Sequence, residues 1–247
     1  MKNRLTKTIT FLSLIFILTL SVFSFAFTSS TTTVNDGKLY TPPFSIYFVA
    51  TAKSQLESEA SSLAKDTMAN GCGGYVWKNE NYFYAISSAY ENKNDATLMS
   101  NSLENKNIKN EIFCIDFPAK NILTEFEKKE EKSLFLTATN SFYSSFKTLF
   151  EISVWLDTNL YDEEKAMLEI SNLQRTVDEI MKNFESFFGD CDLEILSHLN
   201  NAIIDQSETI GQLSAKQFIT EKQSLLSLIR YSYTKIIAIF HNFLEKI

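Results

Sequence analysis

Proline, which interrupts helices and the hydrogen bonding of sheets, occurs at only three positions in the 247 residues: Pro42, Pro43 and Pro118. The first two close a stretch rich in serine and threonine, residues 28–43, which we expect to be a linker. No proline follows Pro118, so long uninterrupted helices are possible beyond it. The pattern predicts two folded units, residues 44–118 and 119–247.

The bracketed segment, residues 44–118, alternates between strand and helix patterns. Apolar side chains at every second position predict a first strand from Phe44 to Ala50. Two helix patterns follow, one over residues 56–67 and one carrying Ala96, Met99 and Leu103 on one face. The other predicted strands are residues 75–78, 81–86 and 112–117. The order βαββαβ predicts an α+β fold, a four-stranded antiparallel sheet with both helices on one face.

Two of these strands are aromatic and are joined through Asn79-Glu80, which suits a tight hairpin. A two-residue turn there would pair Trp77 with Tyr82 and Tyr75 with Tyr84. The alternation then places a core beneath the helices, consisting of Val76, Phe83, Ala85, Phe44, Ile46 and Phe48. Five aromatic side chains, here called the aromatic set, are left on the open face of the sheet: Tyr47, Tyr75, Trp77, Tyr82 and Tyr84. Such a platform is suited to stacking on the apolar faces of sugars.

Several features of this segment are shared with a known family. They are the strand Ile46–Ala50 leading to Glu59-Ala60, the glycine turn at residues 71–74, the strand at residues 82–88, and Asp95-Ala96. With them the segment resembles a SPOR domain, the sporulation-related repeat of bacterial cell-envelope proteins. It differs in lacking the glutamine common on the family's first strand and the Gly-Pro pair that often ends the third.

The resemblance covers residues 44–118 alone and carries an expectation about the ligand. It implies binding to glycan strands of peptidoglycan that have lost their stem peptides, often at division septa. Tyr82 and Tyr84 stand where the family's third strand places side chains that contact the glycan. The resemblance therefore implies the same ligand for the aromatic set.

The second unit, residues 119–247, is helical throughout. Apolar side chains recur at spacings of three and four in four successive stripes, with breaks near Tyr161, Gly189 and Gly211. Asp162 is placed to cap the second helix. Short connections between long amphipathic helices favour antiparallel neighbours, so we predict a bundle of about four helices.

The amino terminus, residues 1–27, predicts an export signal. Three basic residues, Lys2, Arg4 and Lys7, precede 19 residues of Ile, Leu, Phe and Val interrupted only by an alanine and hydroxyl side chains. As a helix this run would span roughly 28 Å, close to the ~30 Å of the hydrocarbon core of a bilayer. An uncleaved anchor and a signal peptide cleaved near Ser24-Phe25-Ala26 both fit, and both deliver the remaining chain outside the cytoplasm. We expect a single-pass protein of the cell membrane, or a secreted one if the signal is cleaved.

Composition restricts the chemistry. The net charge is −7, and residues 44–118 carry six lysines and no arginine against nine acids, so nucleic acid is not an expected partner. Two histidines, His198 and His241, and three widely spaced cysteines supply no recognisable ligand set for a metal. Adjacent acids such as Glu163-Glu164 are typical of a solvated helix surface. We therefore expect no enzyme activity, no catalytic residues, no metal and no cofactor.

Two functions remain open from the sequence. The first is a membrane-anchored, extracytoplasmic protein whose sheet binds peptidoglycan glycan through the aromatic set and whose bundle engages an envelope protein. The alternative is a structural or scaffold protein whose aromatic sheet face is buried against the bundle or against a protein partner. The exposure of the aromatic set separates these two functions.

Overall fold

The computed structural model describes residues 33–35, 38–122, 126, 129–189, 193–215 and 224–247. In chain order its elements are β1 (Thr33–Asn35), β2 (Lys38–Thr41), β3 (Phe44–Ser54), α1 (Glu57–Met68), β4 (Tyr75–Asn79), β5 (Tyr82–Tyr90), α2 (Lys93–Asn105), β6 (Glu111–Phe117), β7 (Lys120–Ile122), α3 (Lys129–Asp157), α4 (Glu163–Phe188), α5 (Glu194–Ser214) and α6 (Leu225–Glu245). The predicted α+β class is confirmed.

The main sheet has four antiparallel strands in the order β4-β5-β3-β6. Helices α1 and α2 pack on one of its faces, through small buried side chains that let the backbones approach closely, including Ala60, Ala64 and Ala96. The Asn92 side chain caps α2 by accepting a hydrogen bond from the backbone N–H of Asn94. The predicted order βαββαβ is confirmed.

A second, smaller sheet of order β1-β2-β7 lies in the segment predicted as a linker and just after Pro118. Leu39 and Thr41 on β2 are buried, and Leu39 pairs with the buried Ile122 of β7. These strands have three or four residues each, too short for their alternation to be recognised in the sequence. Residues 38–43 are therefore part of the fold.

The β4–β5 hairpin turns at Glu80 and Asn81, not at Asn79-Glu80. Glu80 adopts a left-handed backbone with φ of 52°, and Asn79 pairs with Tyr82. Trp77 consequently pairs with Tyr84, two residues further along β5 than predicted. Because side chains alternate with a period of two, this shift leaves the same residues of the two strands on a common face.

The helical region is a bundle of four helices, as predicted, in which each helix packs against the next and α6 closes the ring against α3. Asp162 caps α4 by accepting a hydrogen bond from the backbone N–H of Lys165, at 2.8 Å. Ser224 caps α6 in the same way. Buried Phe142, Phe184 and Phe240 are among the side chains that fill the interior.

The bundle packs directly on the sheet, so the boundary near Pro118 separates two sequence patterns but not two cores. α6 lies against β4 and β5. One continuous cluster of buried apolar side chains contains Phe48 and Ile86 of the sheet together with Phe146 and Ile236 of the bundle. The two parts therefore share a single hydrophobic core.

The predicted single-pass topology is corrected by the structure. Among the residues that the structure describes, no helix is long and apolar enough to cross a membrane. The longest helices are amphipathic; even α6, which is rich in apolar residues, carries Arg230, Lys235 and Glu245. The predicted anchor, residues 1–27, lies outside the described residues.

Candidate glycan-binding face

The structure brings four members of the aromatic set together on one face of the β4–β5 hairpin and separates the fifth. Tyr75, Trp77, Tyr82 and Tyr84 belong to the core cluster shared with the bundle. Tyr47 lies on the opposite face, in a small cluster with Val49 and residues of α2. The predicted five-residue platform is therefore wrong at Tyr47.

The face carrying these four side chains also carries the buried apolar residues of β3. Phe44 and Ile46 belong to the same cluster, and the Phe48 ring lies 4.8 Å from Trp77, centroid to centroid. The predicted separation, with Phe44, Ile46 and Phe48 beneath α1 and α2, is wrong. Alternation fixes which residues of one strand share a face, but both faces of β3 are buried, so polarity does not distinguish them.

Helix α6 covers the centre of this face. The Trp77 ring meets the His241 ring edge to face at 5.5 Å, and Tyr75 meets Tyr231 in the same manner at 5.5 Å. Trp77 is 5% exposed and Tyr84 8% exposed. The expectation that these side chains lie open to solvent is wrong, because the bundle supplies the missing second layer of the sheet.

The environment of Tyr75 is dry enough to change its ionisation. Burial raises the pKa of the Tyr75 hydroxyl group to about 12, and the neighbouring Tyr231 adds to the effect. The phenol therefore stays neutral and remains a hydrogen-bond donor throughout the physiological range.

One end of the face, next to the hairpin turn, is less covered. The Lys53 ammonium lies 4.2 Å from the ring centroid of Tyr82 and 5.1 Å from that of Tyr84, within range of cation–π attraction. The Phe113 ring lies 4.5 Å from Tyr84. Lys53 is exposed, while Tyr82 and Phe113 are partly exposed. These four residues, Lys53, Tyr82, Tyr84 and Phe113, are called the hairpin-end cluster below.

A hydrogen bond with the Tyr84 side chain is the main cause that raises the pKa of Lys53, and the charge of Glu111 acts in the same direction. The lysine is therefore a cation at neutral pH. An ammonium group with free N–H donors beside partly exposed rings is able to bind the hydroxyl groups and the apolar face of a sugar together.

The sequence reasoning missed Lys53 and Phe113. The register of β3 against β5 is irregular between Val49 and Ala50 and again between Ala50 and Ala52. Such bulges change the face on which the following side chains lie, and they bring Lys53 over the tyrosines. No residue type at these positions signals a bulge.

A polar contact between the bundle and the α1–β4 turn was also missed. Arg230 of α6 is 6% exposed and donates a hydrogen bond to the carbonyl oxygen of Gly71 at 2.8 Å. It also pairs with Asp157 at the end of α3, at 3.2 Å. Nearby, the Ser227 hydroxyl group donates to the carbonyl oxygen of Met68 at 2.5 Å.

The glycine turn allows this approach. A Cβ atom on Gly73 would lie 2.9 Å from the backbone of Arg230 and of Tyr231. Only a residue without a side chain leaves room for α6 at this distance. The three glycines at residues 71–74 are thus the sequence signal for a close contact, although they do not name the partner element.

The groups considered for catalysis and metal binding lie apart. Glu163 and Glu164 are exposed in the first turn of α4. His198 lies 3.3 Å from Glu194, and His241 lies 3.8 Å from Glu245, each within one helix. Over the described ranges, no group of three or more His, Cys, Asp or Glu side chains is arranged to hold a metal ion.

Comparison with known proteins returns no relative: no family model, no curated protein and no solved structure matches the chain. The resemblance to a SPOR domain stays a prediction.

Proposed function

We propose that this chain is a non-enzymatic structural protein, a scaffold in which the helical bundle is held on the aromatic face of the sheet. The observation that carries the proposal is the position of α6, which crosses this face and leaves Trp77 only 5% exposed. A face occupied by the protein's own helix is not available to a long glycan chain.

The contact is part of the core and does not resemble a removable cover. Ile46 and Phe48 on the sheet are fully buried, and so are Ile236 and Ile237 on α6. Exposing each such side chain costs about 1.5–3 kcal/mol. α6 also packs against α3 and α5, so lifting it from the sheet would open the bundle as well. This shared role supports a permanently closed arrangement.

Tryptophan fluorescence tests the proposal in the whole chain. In a Trp155→Phe variant, Trp77 is the single tryptophan and reports on the face beneath α6. We expect a blue-shifted emission that resists a soluble quencher and does not change when glycan stripped of its stem peptides is added. A change of Trp77 emission with added glycan would show that ligand reaches the face, and would contradict the scaffold.

The matched control is Trp77→Phe, which leaves Trp155 as the only tryptophan. Trp155 is partly exposed on α3, with its ring 4.6 Å from that of Tyr161. Its emission should be quenched more readily than that of Trp77. Equal quenching of the two variants would mean that Trp77 is not protected by α6.

A second candidate function, glycan binding, is favoured by the hairpin-end cluster. Tyr82 keeps part of its ring exposed, with the Lys53 ammonium 4.2 Å from the ring centroid. We propose that any binding of peptidoglycan glycan is confined to this end of the face, as one or two sugar contacts in place of a platform. This function is compatible with a covered centre.

Cosedimentation of the whole chain with amidase-treated peptidoglycan tests the second function. Tyr82→Ala should weaken binding by more than about 1 kcal/mol if the ring is a main contact. Tyr161→Ala is the matched control, because Lys165 lies over the Tyr161 ring at 4.0 Å in the same geometry, far along the chain on the bundle. Equal binding of both variants, or no binding by the unmodified chain, would reject this function and leave the scaffold standing.

A further inference from the structure

A seam of carboxyl groups lies where the end of β5 meets α3. The turn between β5 and α2 faces α3 across a small cavity of about 50 Å³, lined among others by Glu91, Asp95, Phe146, Lys147, Phe150 and Glu151. The rings of Tyr90 and Phe150 meet edge to face at 5.6 Å and close one side of the seam. Partly buried polar groups thus lie beside an aromatic contact.

Glu91 is the centre of this seam. Its carboxyl group accepts a hydrogen bond from the hydroxyl group of Tyr143, which is 5% exposed on α3. This bond joins the end of β5 to the middle of the bundle helix, and it is the polar counterpart of the Arg230 contact on α6.

The charges around Glu91 do not balance. The titratable groups that face it are Asp95 from α2 and Tyr143, Lys147 and Glu151 from α3. Three carboxyl groups therefore share the seam with one ammonium group. When all of them are ionised, repulsion between the acids and the loss of water from Glu91 both oppose the packing of the β5–α2 turn against α3.

Burial is the largest cause that raises the pKa of Glu91, with Glu151 adding to it and the Tyr143 bond and Lys147 opposing it. Burial likewise raises the pKa of Asp95 and of Glu151. All three acids therefore hold a proton more tightly in the folded chain than in the unfolded chain.

We propose that the seam around Glu91 is a pH-sensitive tie between the sheet and the bundle, more stable at mildly acidic pH than at neutral pH. The stabilisation is fully present below the ordinary carboxyl pKa and is lost as the pH rises through the raised value of the folded chain. The tie goes beyond the scaffold function, because it makes the stability of the contact between sheet and bundle depend on pH.

Urea unfolding of the whole chain between pH 4.5 and pH 8 tests the tie. Glu91→Gln keeps a hydrogen-bond acceptor for Tyr143 but removes the ionisation. We expect the unfolding constant of the unmodified chain, divided by that of the Gln variant, to rise several-fold from the acidic to the neutral end. A ratio that stays constant over this range would overturn the proposal.

Two further measurements keep the outcome clear. Glu208→Gln, at an exposed position on α5, is the control and should leave the ratio unchanged across the pH range. Carbon NMR titration of the Glu91 carboxyl group in the unmodified chain gives its midpoint without any variant; a midpoint at or below the ordinary 4.5 overturns the tie. In Tyr143→Phe this midpoint should move higher still, because the hydroxyl group that lowers it is gone.

Discussion

Trp77 and His241 meet edge to face at a centroid distance of 5.5 Å, although Trp77 lies on β4, an edge strand of the main sheet, and His241 lies near the end of α6. His241 also touches Phe117 at 5.1 Å, on the opposite edge strand of the same sheet. A single helix side chain thus contacts both edges of the sheet face, which is why the face is closed over its width.

Replacing Trp77 by Ala should destabilise the whole chain. The indole is almost fully buried between Phe48 and His241, so its removal leaves a cavity and should lower the free energy of unfolding by about 3–5 kcal/mol. Urea unfolding followed by circular dichroism measures the loss. Trp155→Ala, at a partly exposed site, should cost less, and the opposite order would contradict the covered face.

Replacing Gly73 by Ala should separate α6 from the α1–β4 turn. The new Cβ atom would lie 2.9 Å from the α6 backbone, and the strain should cost about 1–3 kcal/mol. Gly211→Ala, within α5, is the control, because its Cβ atom would make an ordinary contact of 3.4 Å with the Gln174 side chain of α4. That change should be neutral or stabilising by about 0.5–1 kcal/mol. Thermal unfolding of the two variants should therefore shift in opposite directions or by clearly different amounts.

Arg230 should matter mainly through Gly71. The Asp157 side chain is 58% exposed and remains hydrated without its partner, so Asp157→Asn should cost less than about 1 kcal/mol. Arg230→Met removes the donor to the partly buried carbonyl group of Gly71 as well and should cost about 1–3 kcal/mol. Urea unfolding of both single variants and the double variant separates the two contacts. Equal losses in the two single variants would contradict the larger role of the Gly71 contact.

Alkaline titration should reveal the buried phenols. Burial raises the pKa of Tyr75 to about 12 and raises those of Tyr90, Tyr231 and Tyr233 as well. Their stabilisation is complete below the ordinary tyrosine pKa of about 10 and is lost as the pH rises through the folded values. Phenolate absorbance should therefore rise in two steps, exposed tyrosines first and the buried ones together with unfolding. A single gradual step while the chain stays folded would contradict the burial.

The element order and the grouping of Tyr75, Trp77, Tyr82 and Tyr84 were predictable because both depend on local alternation. The error in the hairpin turn did no harm to the grouping, since it moved Trp77 by an even number of residues. The sequence could not predict which side chains of β3 face α1 and α2 and which face α6. Phe48 and Val49 point to opposite faces and both are fully buried, so their polarity does not distinguish the two faces.

The covering of the candidate site depends on residues distant in the chain. His241 and Tyr231 carry no local sign of their sheet partners, and the bulges that move Lys53 have no sequence marker. Only the glycine turn indicated a close neighbour, through Gly73. The resemblance to a SPOR domain covers residues 44–118 alone and therefore holds no information about α6, which packs on the other face of the sheet.

The position of α6 after the sheet strands in the chain sets the order in which the core is completed. During synthesis the sheet strands leave the ribosome long before residues 225–245 do. Phe48, Trp77 and Ile86 therefore stay exposed until α6 is available to pack on them. An apolar sheet face exposed for that time is prone to aggregation and is a surface for chaperones. The synthesis and packing of α6 is therefore the step that protects the nascent chain from aggregation through this face.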